Sequence, residues 1–132
     1  YAIARAAMLR GADVTLVSGP VSISAPPFVN VIPVTSAEDM FQAVVSRSDT
    51  QDIIIKAAAV ADYTPVQTST EKVKKKEGDL SVPLRRTKDI LSYLGEHKKD
   101  GQFLCGFSME TEHMLENSRE KLRHKHADMI VA

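Results

Sequence analysis

Apolar residues fall along the chain in short clusters, and the spacing inside each cluster assigns it an element. Residues 1–10 are strong helix formers with apolar positions around most of the circumference, and Gly11 stands where a C-terminal stop belongs. No Ser, Thr, Asp or Asn precedes them as a cap, so the sequence is expected to be an excerpt of a longer protein. Residues 13–17 read as a short strand ended by the turn Ser18-Gly19-Pro20, and Pro26 and Pro27 mark residues 21–30 as surface loop. Residues 31–34 form the next strand, and Pro33, which has no N–H for a ladder, places it at a sheet edge. Ser36 then caps a helix with Glu38 and Asp39 in its first turn and Met40, Ala43 and Val44 on its apolar face. Polar residues 46–52 close a βαβ unit at Ile53, Ile54 and Ile55. That uninterrupted β-branched run predicts a central strand buried on both faces.

Further on, Glu77-Gly78-Asp79 separates two extended segments, 72–76 and 80–86, that together predict a β-hairpin. Leu80, Val82 and Leu84 alternate with Ser81, Pro83 and Arg85, so one face of it is apolar. A two-stranded ribbon is marginal in water. It is expected to pack on its own domain or on a second copy, and a homodimer through residues 72–86 follows as an expectation. Thr87 and the early acid Asp89 start a helix whose core stripe is Ile90, Leu91 and Leu94. Phe103, Leu104 and Cys105 form another buried strand, followed by a helix over about 112–126 that turns Met114, Leu115, Ser118 and Leu122 inward. Lys121 and Lys125 lie four apart on one side of it, and residues 128–132 are a final strand. This alternation predicts an α/β fold: one domain over residues 1–132, three-layer α/β/α and Rossmann-like, with a mostly parallel sheet and an extruded β-hairpin arm. Right-handed crossovers bring the loops that follow strands to one edge.

Charge narrows the chemistry. Seventeen basic and seventeen acidic residues cancel, so no overall field favours nucleic acid or a membrane surface, and neither partner is expected. A single cysteine and the absence of any apolar stretch of roughly 18 residues point to the cytoplasm, and Cys105 reads as a small core residue. Glycine fingerprints for dinucleotides, a P-loop, paired-cysteine metal spacing and a nucleophile elbow are all missing. His97, His113, His124 and His126 fall on polar stretches with no shared helical face for a metal. What stands out follows the isoleucine run. Ala57, Ala58 and Ala59 keep bulk low where a ligand approaches the carboxyl edge, and Asp62 and the lysines 72, 74, 75 and 76 come next. An acid and a group of cations there suit a polyphosphate with its metal. Taken singly, each has a plainer role: the lysines a solvated edge, Asp62 a turn residue, Phe107 core, Glu110 a helix cap.

In order, though, Ala57-Ala58-Ala59-Val60-Ala61-Asp62-Tyr63, Glu71-Lys72-Val73-Lys74-Lys75, Lys88-Asp89-Ile90-Leu91 and Gly106-Phe107-Ser108-Met109-Glu110-Thr111 closely resemble the bacterial phosphopantothenoylcysteine synthetases. Gly11 to Pro20 looks like that family's second strand and loop. The resemblance implies a CTP-dependent ligase of coenzyme A biosynthesis. It would activate 4′-phosphopantothenate as an acyl-cytidylate, release pyrophosphate, and let the amine of L-cysteine displace CMP. It also implies Mg²⁺, and FMN only on a decarboxylase domain fused upstream.

By that resemblance Lys72 is the catalytic, nucleotide-binding lysine, its charge set against the triphosphate. Asp62 is the nucleotide-site acid that holds the metal or the ribose. Lys56, Ala57 and Ala58 line the nucleotide, Lys88, Asp89, Ile90 and Leu91 offer it backbone amides, and Phe107, Lys121 and Lys125 complete the contacts. Where the family has Asn-Pro ahead of the Asp89 position, this chain has Thr87-Lys88. The family's glycine-rich first loop and its acyl-cytidylate asparagine would precede Tyr1, so the 132-residue polypeptide alone is expected to show little or no ligase activity. Two rivals follow from the fold and the lysines: a Rossmann-like oxidoreductase, which needs a glycine fingerprint absent here, and a non-catalytic polyanion-binding module, whose affinity would fall steeply with salt.

Overall fold

The computed structural model describes residues 1–69, 71–74, 78–110 and 112–132. Helix α1 (Ala2–Leu9) leads into strand β1 (Thr15–Ser18), which lies parallel to β2 (Asn30–Pro33) with Thr15 opposite Asn30 and Ser18 opposite Pro33. Pro33 closes an edge strand, as its missing donor requires. Helix α2 (Ala37–Ser48) follows a complete capping box. The Asp39 N–H donates to Ser36 Oγ at 3.1 Å, and the Ser36 N–H donates to Asp39 Oδ2 at 2.9 Å.

Strand β3 (Ile53–Lys56) then pairs in parallel with β6 (Phe103–Phe107), which also pairs in parallel with β7 (Met129–Val131). The fold is thus α/β with parallel sheets, in line with the alternating pattern of the sequence. Two expectations need correction. In this sheet β6 is central and β3 is an edge among the described residues, with Ile53 62 % and Ile55 42 % exposed. The isoleucine run reported what those side chains require, not what surrounds them. The antiparallel arm, likewise, is not built from residues 72–74 among the described residues. Its strands are β4 (Tyr63–Pro65) and β5 (Leu84–Arg86), joined with Tyr63 opposite Arg86. Gly78 does adopt a turn conformation, φ +93°, but residues 72–74 pair with no strand. Residues 75–77, the rest of the expected hairpin turn, lie outside the described residues.

Helix α3 (Ile90–Glu96) buries Ile90, Leu91 and Leu94 against Leu104 and Phe41, and these five form the main core. Its cap is Asp89, whose Oδ1 accepts from the Ser92 N–H at 2.9 Å. Thr87, expected in that role, instead donates its hydroxyl to the Ala61 carbonyl at 2.7 Å, fastening the loop after β3 to the start of α3. Helix α4 (Met114–His124) buries Ser118, whereas Met114 and Leu115, expected inward, are exposed.

Close approaches lock this half together. A Cβ on Gly95 would sit 1.9 Å from the Lys125 carbonyl oxygen, so only glycine lets α3 meet the end of α4. Asp128 Oδ2 accepts from the Leu104 N–H at 2.7 Å, and both of its oxygens take Lys98 Nζ, at 2.7 and 2.8 Å. The loop between β1 and β2 is looser: Phe28 sits at φ +62° with 91 % of its surface exposed. Among the described residues no helix is long and apolar enough to cross a membrane.

Candidate functional site

At the carboxyl edge of the parallel sheet the loop leaving β3 and the start of α3 border a cleft of about 300 Å³ lined by Lys56, Asp62, Thr87, Lys88 and Asp89, with Tyr63 and Arg86 from the arm. The end of α4 meets the same edge through Lys125, which reaches Asp89. Ligands of open α/β sheets bind at such edges because loops and helix ends converge there. Asp89 is the hub. While its Oδ1 caps α3, its Oδ2 accepts from Lys125 Nζ at 2.8 Å, and the same ammonium donates to Ser92 Oγ at 3.0 Å. Burial pushes the Asp89 carboxyl up, but hydrogen bonds from Lys125 and the Ser92 N–H, with the charges of Lys125 and Lys56, bring it below its ordinary value.

Lys56, the last residue of β3, carries the opposite tension. Burial holds its ammonium below the usual lysine range, and the nearby charges of Lys121 and Lys125 add to this, while Asp89 and Asp62 work against it. Three lysines therefore converge near two carboxylates. One of those lysines is costly to charge, and an incoming polyanion would relieve that cost. Alongside, Lys121 Nζ donates to Ser108 Oγ at 3.5 Å, and Ser108 donates to Glu110 Oε1 at 3.0 Å. Asn117 Nδ2 reaches Glu110 Oε2 at 3.4 Å, tying the loop after β6 to α4. Glu110 thus anchors the Ser108 hydroxyl that Lys121 approaches.

Of the residues singled out in the sequence, the structure brings together Lys56, Asp62, Asp89, Lys121 and Lys125. Phe107 ends β6, half-buried. Ile90 and Leu91 are each 3 % exposed, so their side chains belong to the core and only their backbone remains for a ligand. Lys88 borders the cleft, yet its Nζ donates to Glu38 Oε1 at 2.7 Å and lies 4.6 Å from the centre of the Phe41 ring. Ala57 and Ala58 line a second, larger cleft between β1 and β3. Lys72 is exposed and borders neither cleft. Sequence reasoning missed Ser92 and Ser108, which orient Lys125 and Lys121, and Arg86, which lies 5.8 Å from the centre of the Tyr63 ring. Only Ser92 had a local signal, three residues after an N-cap acid.

The profile of the DNA/pantothenate metabolism flavoprotein C-terminal domain family matches residues 1–132. The chain belongs to this family. Its relatives within and around the family include the coenzyme A biosynthesis bifunctional protein CoaBC of Bacillus subtilis (strain 168), 50 % identical over 133 residues, which span all of this chain and 32 % of that protein. A cysteine/cysteine sulfinic acid decarboxylase from an unknown prokaryotic organism is 47 % identical over 131 residues, 98 % of this chain and 36 % of the relative. Among solved structures, the C-terminal domain of a coenzyme A biosynthesis bifunctional protein CoaBC superposes with a TM-score of 0.87 at 45 % identity, covering all of this chain and 61 % of that one. The chain thus spans about a third of the length of these curated relatives. For this member of the family, the lysine–carboxylate cluster is the candidate site at the carboxyl edge of the sheet.

Proposed function

We propose that this domain is the CTP-binding part of a ligase of coenzyme A biosynthesis that joins 4′-phosphopantothenate to L-cysteine through an acyl-cytidylate, releasing pyrophosphate and CMP. The observation that carries this reading is the convergence of Lys56, Lys121 and Lys125 with Asp62 and Asp89 at the carboxyl edge of the sheet. Kinship with bifunctional coenzyme A biosynthesis proteins supports the pathway. In this reading Lys125, held by Asp89 and Ser92, and Lys56 face the triphosphate. Their charges offset what accumulates on the departing pyrophosphate. Phe107 offers an apolar face to the base, and Lys72, on the segment that joins β4 to β5, is the lysine that would close on the phosphates when the nucleotide binds.

The donor set fits Mg²⁺. A magnesium ion keeps several waters and takes one or two carboxylates plus substrate phosphates, so Asp62 in a cleft of this size is a sufficient protein contribution. The ion would supply charge neutralisation on the triphosphate. The rest of the chemistry asked of this chain is to bind and orient the nucleotide and to keep lysine protons near the leaving group. We also assign the domain to the cytoplasm, and the arm to a homodimer contact. Leu80, Val82 and Leu84 are 53–79 % exposed, and a second copy would cover them.

Calorimetric titration with CTP, ATP, GTP and NAD in the presence of Mg²⁺, on the chain and on its Lys125→Ala and Lys72→Ala variants, tests the nucleotide assignment. Selective CTP binding weakened by Lys125→Ala supports it. Equal, salt-sensitive binding of every polyanion points instead to a general anion-binding surface. Sedimentation of Leu80→Asp and Val82→Asp variants tests the dimer, which should be lost in both.

A further inference from the structure

Three basic residues, Arg85, Arg86 and Lys88, stand where the arm meets the start of α3, and their surroundings separate them. Successive side chains of a strand point to opposite faces, so Arg85 and Arg86 at the end of β5 diverge. Arg86 lines the cleft at the carboxyl edge and Arg85 does not. Lys88 is already engaged: its Nζ donates to Glu38 Oε1, and the charge of Arg85 acts on that same carboxylate. Arg86 has no carboxylate within ion-pair distance among the described residues. Its guanidinium lies over the ring of Tyr63, the residue opposite it in the β4–β5 ladder, 5.8 Å from the centre. Such a contact holds the planar group in place without using its N–H donors. The end of the strand is fixed as well. The Thr87 N–H donates to the Asp62 carbonyl oxygen at 2.9 Å, and the Thr87 hydroxyl donates to that of Ala61. Arg86 and Asp62 thus reach one cleft on a common frame.

Charge defines what fits there. Among the ionic groups lining the cleft, Asp89 is matched by Lys125 and Lys88 by Glu38. Lys56 and Arg86 are left facing Asp62 alone, an excess of positive charge that a multiply charged anion would balance. We propose that Arg86 grips the terminal phosphates of the nucleotide, so that the arm supplies the pyrophosphate subsite. Exposure assigns it the part that leaves. Arg86 and Tyr63 are both exposed, on a wall open to solvent, whereas Lys56 is half-buried. A guanidinium offers a phosphate two parallel N–H donors, and that contact strengthens as charge collects on the leaving group. When a carboxylate oxygen of the acyl substrate bonds to the α-phosphorus, the bond from that phosphorus to the oxygen bridging the β-phosphate breaks. Its electron pair departs with pyrophosphate, the anion that Arg86 holds. The inference rests on the ligase reading for the identity of the nucleotide, while the subsite itself is defined by pyrophosphate.

Calorimetric titration with inorganic pyrophosphate, CMP and CTP, each with Mg²⁺ at one ionic strength, tests it on the wild-type chain and on Arg86→Gln, Arg86→Lys and Arg85→Gln variants. Arg86→Gln should weaken pyrophosphate and CTP about 10-fold and leave CMP unchanged. Arg86→Lys keeps the charge without the fork, so its loss should be about 3-fold. Arg85→Gln removes the same charge from the other face of β5 and should alter each affinity by less than about 2-fold. The proposal is overturned if the wild-type chain does not bind pyrophosphate, or if Arg86→Gln leaves that binding unchanged. It is equally overturned if Arg86→Gln weakens CMP as much as pyrophosphate, which would make Arg86 a support for the whole site, or if Arg85→Gln matches Arg86→Gln, which would make the effect one of general charge. Preference for CTP over ATP and GTP judges the ligase reading separately. Without that preference, pyrophosphate binding that depends on Arg86 still upholds the subsite; with it, an indifferent Arg86→Gln removes the subsite and not the reading.

Discussion

Strands β3 and β6 lie side by side, and the more apolar of the two is the more exposed. Ile53, Ile54 and Ile55 are three β-branched residues in a row, yet Ile53 keeps 62 % of its surface in solvent. In β6, which contains a glycine and a cysteine, Leu104 is 1 % and Cys105 4 % exposed. The difference lies in neighbours. Strand β6 has a ladder on both edges and α3 packed on it through Leu91, whereas β3 has one ladder among the described residues and borders the cleft between β1 and β3. Hydrophobicity states what a strand requires, and its position in the sheet decides whether the requirement is met.

Truncation should expose that contrast most sharply. Leu104→Ala is expected to cost about 2–5 kcal/mol, because it opens a cavity in a closed core, and Ile53→Ala less than about 1 kcal/mol in the 132-residue chain. Urea midpoints of the two variants measure this, and equal losses would mean that β3 is already enclosed. Gly95→Ala comes next. Its Cβ meets a backbone carbonyl, which cannot swing aside as a side chain would, so roughly 3 kcal/mol should be lost by the same assay.

Asp128 ties β7 to β6 with a smaller effect. The Lys98 hydrogen bond and the Leu104 N–H hold its carboxyl below the ordinary range. A group depressed in the folded state lends stability above its unfolded pKa and withdraws it as pH falls through the folded one. Asp128→Asn should therefore cost about 1 kcal/mol at neutral pH, a figure reduced for partial exposure, and the difference from wild type should vanish in acid. Thermal melts between pH 7 and 2 provide the check. The smallest effect belongs to the open half. Phe28→Gly removes a side chain from left-handed backbone at the cost of a freer unfolded chain, leaving a net gain of roughly 0.5 kcal/mol. A calorimetric Tm that falls would show that Phe28 is held by something more than its own loop.

Local chemistry made much of this legible in the sequence. The Ser36 cap, the Pro33 edge, the buried run at Leu104 and the stripe on α3 depend on residues close in the chain, and each is found. The arm was misread for the same reason. Glu77-Gly78-Asp79 is a strong turn signal, but β5 takes its partner from Tyr63–Pro65, beyond the reach of a local pattern. In the site, Asp62 was visible from its place after the isoleucine strand, while Lys56 and Asp89 were assigned only by the family resemblance. The link from Lys125 to Asp89 was not, because it requires α3 and α4 to meet across Gly95, a contact set by the absence of a side chain. Thr87 and Asp89 exchanged expected roles because either suits a cap, and only the position of the Ala61 carbonyl distinguishes them.

The pairing of β3 with β6 also sets a schedule for the ribosome. Ile53 meets Phe103, fifty residues later in the chain. At roughly 5–20 residues per second, the isoleucine strand waits several seconds for its permanent neighbour. During that interval a nascent chain displays three consecutive β-branched residues with both backbone edges open, the kind of segment that seeds aggregation.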